Sequence, residues 1–232
     1  MPNLRLSPEL RALRPAIIVV VVACVTMIVA SVVYWPEMAE SLVTRAANDR
    51  HGESVVQRWF AVGAFPLFLL VLSALLGATP ALDRKLRTAI SQKPAPNPKN
   101  GARVLEYLLS GVAIAMTVSH FGLLSAFAGT RFPMNEAMAA SLGLILVLFG
   151  NALPLARSED VSLPPFLVRL QDIIGPIYRP AGRVLVLIGV AAIALAFVSA
   201  WAALLLATLG IIALIVGIYL IGLVRMRRQA DA

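Results

Sequence analysis

The chain has 232 residues, 59% of them hydrophobic and only 14% charged, whereas an ordinary soluble domain keeps roughly a quarter of its residues charged. That deficit excludes a molecule whose surface faces mainly water. The formal net charge of +8 does not make it a nucleic-acid binder, because Lys and Arg lie between apolar runs and near the termini and form no basic stripe interleaved with aromatics.

Crossing the ~30 Å hydrocarbon core takes about 20 mostly apolar residues in a helix. The first such run, residues 15–35, has three arginines before it: Arg5, Arg11 and Arg14. Its 21 apolar residues exceed the h-region of a signal peptide, about 7–15 residues, so it is expected to remain as a membrane helix. Cys24, the single cysteine, lies within it and reads as packing. Residues 59–82 give the second span. Residues 107–130 give the third, with His120 its only basic residue, and 137–156 the fourth, polar mainly at Ser141 and Asn151.

Between the second and third spans, residues 83–103 carry six Lys and Arg together with Pro94, Pro96 and Pro98. They are expected to form a flexible basic cytoplasmic loop near anionic headgroups. After the fourth span, Phe166, Leu167, Leu170, Ile173, Ile174 and Ile177 recur at helical spacing, following Pro164-Pro165 and crossing Gly175-Pro176. Residues 164–177 therefore predict a short amphipathic helix on the inner leaflet or tucked against the bundle. The last apolar run, Val184 to Val224, is 41 residues long. At 1.5 Å per residue it would reach about 60 Å, so it is expected to fold as two spans, 184–201 and 203–224, with a turn near Ser199 to Ala203.

The predicted fold is thus an all-α polytopic bundle of about six transmembrane helices. Sixteen of the 20 Lys and Arg fall on one side of it, which places that side and both termini in the cytoplasm. Trp35, Trp59 and Trp201 all fall at the opposite interface, where amphipathic indoles collect. The membrane is taken to be the cell membrane.

Polar groups at membrane depth are costly and are functional candidates by default. His120 lies about two-thirds of the way across the third span. It could relay protons, hold a ligand or simply bond a neighbouring helix. His51, in an outer loop beside Glu53, makes no recognisable zinc pattern with it, and no metal or cofactor is expected. Glu106 and Glu136 sit at predicted helix ends. No HExxH, GxSxG, glycine-rich phosphate loop or intramembrane-protease-like Ser/His pairing stands out, so the chain is expected to be no enzyme. Gly210 and Gly217 share a face of the last span, and alanine-rich stretches in spans four and five allow close helix packing.

The most distinctive stretch is Gly150-Asn151-Ala152-Leu153-Pro154, ending span four. Asn151 carries an amide where it needs partners, and Pro154 frees a carbonyl one turn earlier. A kinked helix end and a binding site at the inner mouth of the bundle both remain open. With Tyr178-Arg179-Pro180-Ala181-Gly182-Arg183 opening the next span, and Trp35-Pro36-Glu37 after the first, the chain resembles the bacterial immunity-protein family for the sporulation-delaying peptide toxin. That family carries a Gly-Asn-x-x-Pro element, matched by Gly150, Asn151 and Pro154, and a later His-Arg-x-x-Gly-Lys-like element. Tyr178 stands here in place of its histidine, and no Gly-Ile-Arg-Thr-Pro-Trp-like stretch occurs between Arg157 and Gly175.

The resemblance implies a non-enzymatic membrane protein that binds or senses a hydrophobic, membrane-active peptide. Gly150, Asn151, Pro154, Arg179 and Arg183 would then serve it at the inner face, with His51 outside and His120 within. A second reading is an accessory subunit of a larger membrane complex. A third is a small proton-coupled transporter using His120. The expected partners are the lipid bilayer and a hydrophobic peptide or other membrane subunits, not nucleic acid.

Overall fold

The computed structural model describes residues 13–45, 53–89, 98–155 and 165–230. Among the described residues, six helices are long and apolar enough to cross a membrane, making this a multi-pass membrane protein. They are α1 (Arg14–Tyr34), α2 (Arg58–Ala89), α3 (Pro98–Phe127), α4 (Met134–Ala152), α5 (Pro165–Ala196) and α6 (Ala200–Ala230). Without water to serve their amides, spanning segments close their hydrogen bonds internally, and helices do this within one segment.

The six form two packed triplets. α1, α2 and α3 pack on one another, as do α4, α5 and α6, and α3 joins the halves by packing against α4. The first half has two apolar clusters, one around Met27, Leu69 and Leu109 and one around Ala61, Leu124 and Phe127. The second half is built on smaller side chains: Ala139, Ala192, Ala196, Ala203 and Ala207 are all at most 1% exposed.

The small residues bring α4 and α5 unusually close. Gly143 and Gly150 lie seven residues apart on α4, and Gly182 and Gly189 seven apart on α5. Seven residues is nearly two turns, so each pair occupies one helix face. A Cβ at Gly143 would sit 2.7 Å from the Gly189 carbonyl oxygen, and one at Gly150 would sit 2.6 Å from that of Gly182. The relation is reciprocal: a Cβ at Gly189 would lie 2.5 Å from the Gly143 carbonyl, and one at Gly182 would strike the Gly150 carbonyl. The two backbones therefore touch twice in antiparallel register. In a bilayer, where lipid tails are as apolar as leucine, such close packing supplies the attraction that the hydrophobic effect cannot.

At the opposite end of the chain's first helix the fold departs from an all-helical reading. Between α1 and α2 lies an antiparallel hairpin of β1 (Ser41–Arg45) and β2 (Ser54–Gln57), preceded by a 3-10 turn at Trp35–Glu37. Leu42 pairs with Val56 and both pack on the Ala61, Leu124 and Phe127 cluster, while the next pair, Val43 and Val55, is exposed. Alternating β-branched residues too few to span a membrane thus cover the helix ends. Arg58 fastens this cap. Its guanidinium carbon lies 4.3 Å from the Trp35 ring centre, its Nη1 donates to the Met38 carbonyl at 3.3 Å, and its backbone N–H donates to Glu40 at 2.9 Å. The N–H of Ala39 reaches the Phe127 carbonyl at 3.0 Å. α3 closes beneath it with Gly129 at φ 65° and the Gly129→Ala126 and Thr130→Ser125 backbone bonds, a left-handed termination that favours glycine.

Helix boundaries also correct the sequence reading. α2 runs on to Ala89 and α3 starts at Pro98, so the expected basic loop over 83–103 is helical at both ends; residues 90–97 lie outside the described ones. Leu, Lys, Arg and Ala after residue 81 are good helix formers, and nothing breaks the run before Pro94. The expected separate helix at 164–177 is instead the first part of α5, which continues through Pro176 and Pro180. The 32 residues of α5 would extend about 48 Å, so its first turns project beyond a ~30 Å core. Arg225 Nη1 donates to the Ile173 carbonyl at 3.3 Å and so ties α6 to this part of α5. The turn between α5 and α6 lies at Phe197–Ser199. Ser199 caps α6 by accepting the Ala202 N–H at 3.3 Å, and Phe197, Val198 and Trp201 are more than 70% exposed around it.

The glycine contacts make a direct prediction. Gly189→Val should lower the thermal unfolding midpoint in mild detergent, with an overpacking cost of about 1–3 kcal/mol. Gly217→Ala, whose Cβ meets nothing within 4 Å, should leave the midpoint unchanged.

Candidate functional site

At the basic end of the bundle, the Gly150–Pro154 stretch acts first as a packing element. Gly150 lies on Gly182, and a Cβ on Gly182 would stand 3.2 Å from Pro154 Cδ. The motif's Gly and Pro and the glycine of the second element are thereby brought together. Asn151 points away from that contact: it is exposed, and its Nδ2 donates to the Val147 carbonyl of its own helix at 3.0 Å. Arg179 and Arg183 are exposed at the same end. They lie four apart and so share a face of α5. His51 lies outside the described residues. Glu53, beside it in sequence, is exposed just before β2.

His120 is wholly buried between α1, α2 and α3. Its Nε2 lies 2.9 Å from Ser31 Oγ and 3.0 Å from the Met27 carbonyl oxygen, and Ser31 Oγ lies 2.9 Å from that same carbonyl. Phe65 of α2 stands edge-on to the imidazole, ring centres 6.0 Å apart. The fold pairs a serine with a histidine 89 residues away in sequence. Sequence spacing carries no trace of this pairing, because Ser31 is one of several small polar residues in the spans and becomes notable only through its partner.

Geometry decides what the pair does. A carbonyl accepts only, so Met27 requires a proton on Nε2. The Ser31 hydroxyl then donates to Met27 and receives the second branch of the Nε2–H. A nucleophilic serine would need Nε2 bare to take its proton, and the carbonyl opposes that state. Ser31, Met27 and His120 therefore tie α1 to α3. The consequence is that Nδ1 keeps its lone pair, buried and with no hydrogen-bond partner among the described residues.

The same two helices leave a groove open on their outer side, about 380 Å³ in volume, with walls from Val22, Ala23 and Thr26 of α1 and Ala113, Thr117 and Val118 of α3. Apolar surface dominates it, interrupted by the hydroxyls of Thr26 and Thr117. Thr117 donates to the Ala113 carbonyl of its own helix at 2.7 Å. Cys24 faces the other way, its Sγ 4.0 Å from the Pro66 carbonyl. Among the described residues, no three His, Cys, Asp or Glu side chains gather as metal ligands.

Comparison with protein-family models, curated proteins and solved structures finds no match.

A double-mutant cycle of Ser31→Ala and His120→Ala should show non-additive unfolding free energies. The coupling expected of an interhelical hydrogen bond in a membrane protein is about 0.6 kcal/mol and at most about 1.7 kcal/mol. Strict additivity would mean that the tie does not hold the helices.

Proposed function

We propose that the chain is a non-enzymatic protein of the cell membrane, with both termini cytoplasmic, that binds or senses a hydrophobic membrane-active peptide as toxin-immunity proteins do. The observation that carries this reading is the groove between α1 and α3. It opens sideways along two spans, so its ligand arrives through the bilayer and not through water. Ala23 and Ala113 in its walls let a helical peptide approach closely, and close approach is the main source of helix affinity in lipid. The threonine oxygens offer acceptors to a polar side chain that lipid tails leave unsatisfied. The concentration of Lys and Arg at one end supports the orientation. In that frame Asn151, Arg179 and Arg183 meet the inner headgroups, and His51 lies outside.

A second reading, an accessory subunit of a larger complex, is favoured by α6. Only 6% of its most apolar window is buried, and Gly217 opens on empty space. A small residue on an otherwise bulky exposed face suits a partner helix.

Sensitivity assays separate the two. Cells lacking the protein should become more sensitive to a hydrophobic membrane-active peptide. Val22→Trp, which fills the groove from its exposed wall, should fail to restore resistance at normal expression, whereas Gly217→Leu should restore it. Resistance restored by Val22→Trp and lost with Gly217→Leu would transfer the function to the α6 face.

A further inference from the structure

The orphan Nδ1 of His120 lies at the end of a polar stripe. Along α3, Glu106, Ser110, Thr117 and His120 are spaced four, seven and three residues apart, which keeps all of them on one helix face. The stripe runs from the basic end, where Glu106 is half-buried, through half-buried Ser110 and Thr117, to the fully buried imidazole. The longest interval, from Ser110 to Thr117, covers about 10 Å of helix. At that height α2 contributes Ser73, whose hydroxyl is also buried with no hydrogen-bond partner among the described residues. The level follows from Phe65, which meets His120. Ser73 lies eight residues, about 12 Å, further toward the basic end on the antiparallel α2. Two unpartnered buried polar atoms thus lie in the same triplet of helices, on or beside one stripe. A buried polar atom without a partner is costly, and water normally serves such atoms.

We infer that the α1–α2–α3 half holds a proton-binding site, with His120 Nδ1 the acceptor and the stripe of hydroxyls its route from the basic end. The step is simple protonation: a proton passed from water along the hydroxyls joins the Nδ1 lone pair, and neutral imidazole becomes imidazolium. Nε2 keeps its proton and its bonds to Ser31 and Met27 throughout. Among the described residues, no charged side chain opposes or assists the change at close range. α1 presents Met27 and Ser31 to the ring and α2 presents Phe65. Of the titratable groups on these elements, Cys24 is turned to Pro66, Tyr34 and Arg58 lie near the hairpin, and Arg14 and residues 83–87 lie at the far ends of α1 and α2. α3 itself brings Lys99, Arg103, Glu106 and Tyr107 in its first turns, and α4 brings Glu136, exposed in its first turn. The inference does not rest on the peptide-binding reading: it needs no ligand, and it shares with the groove only Thr117.

The test is nitrogen NMR of the full chain, labelled at histidine and embedded in lipid bilayers. Only His51 and His120 contribute, and His120→Gln assigns the buried one by difference. At high pH the His120 spectrum should show a protonated Nε2 and a bare Nδ1. Lowering the pH should convert Nδ1 to the protonated form. Ser73→Val combined with Ser110→Ala should slow that conversion severalfold while leaving the high-pH tautomer unchanged, which also shows that the fold is intact. A His120 signal that stays neutral throughout, or a proton on Nδ1 at high pH, would overturn the site. An unchanged rate in the double variant would overturn the route.

Discussion

Helices in a bilayer gain nothing from hiding apolar side chains from each other, because the lipid they displace is equally apolar. The contacts that hold this bundle together are therefore of two other kinds. One is backbone contact at Gly143–Gly189 and Gly150–Gly182, where the absence of side chains lets α4 and α5 touch. The other is the polar tie of Ser31 and His120 to the Met27 carbonyl, which joins α1 to α3. Each half of the molecule has one of these as its main fastening, and α3 against α4 connects them. The positions of the groove, the hairpin cap and the basic end follow from that arrangement.

The two halves use their fastenings differently. The glycine seam is dry and has no slack: a single methyl would meet a carbonyl oxygen. The imidazole tie satisfies one ring nitrogen and leaves the other bare. A site that keeps an unused acceptor at membrane depth is a poor way to gain stability. The groove beside it, lined by alanine and threonine, lies on the less compact half, where α1 and α3 meet at their outer edge. Ligand binding and protonation would thus fall in the half with the more open packing, and the α4–α5 seam would serve as the rigid support.

Much of the architecture was legible because membrane thickness fixes helix length. The six spans follow from apolar runs, and the division of residues 184–224 follows from 41 residues being twice what the core requires. The hairpin was less legible, because Leu42-Val43 and Val55-Val56 are too short to register as a span and lie in a polar loop. The continuity of α5 through Pro176 and Pro180 ran against local rules. A proline inside a helix is tolerated where neighbouring helices support the backbone, as Arg225 does at Ile173. Gly150 and Pro154 stood out in the sequence as a kinked helix end or a binding site, but their packing partner Gly182 lies across a loop and could not be read from it. The seven-residue spacing of Gly143 with Gly150, and of Gly182 with Gly189, was visible; the similar pair Gly210 and Gly217 drew attention instead. Of that pair, Gly210 packs on Ile188 and Gly217 faces open space. Ser31 had no signal at all until the fold set it beside His120.

The claim on which the functional account rests is that the α1–α3 groove receives a peptide from within the bilayer. The most direct measurement is photocrosslinking in native membranes, with a light-activated side chain placed at Val22 in the groove and, as a control, at Leu209 on the exposed face of α6. The account predicts a small hydrophobic peptide adduct from Val22 and none from Leu209. Lipid adducts alone at Val22, or a large membrane protein captured from Leu209, would contradict it.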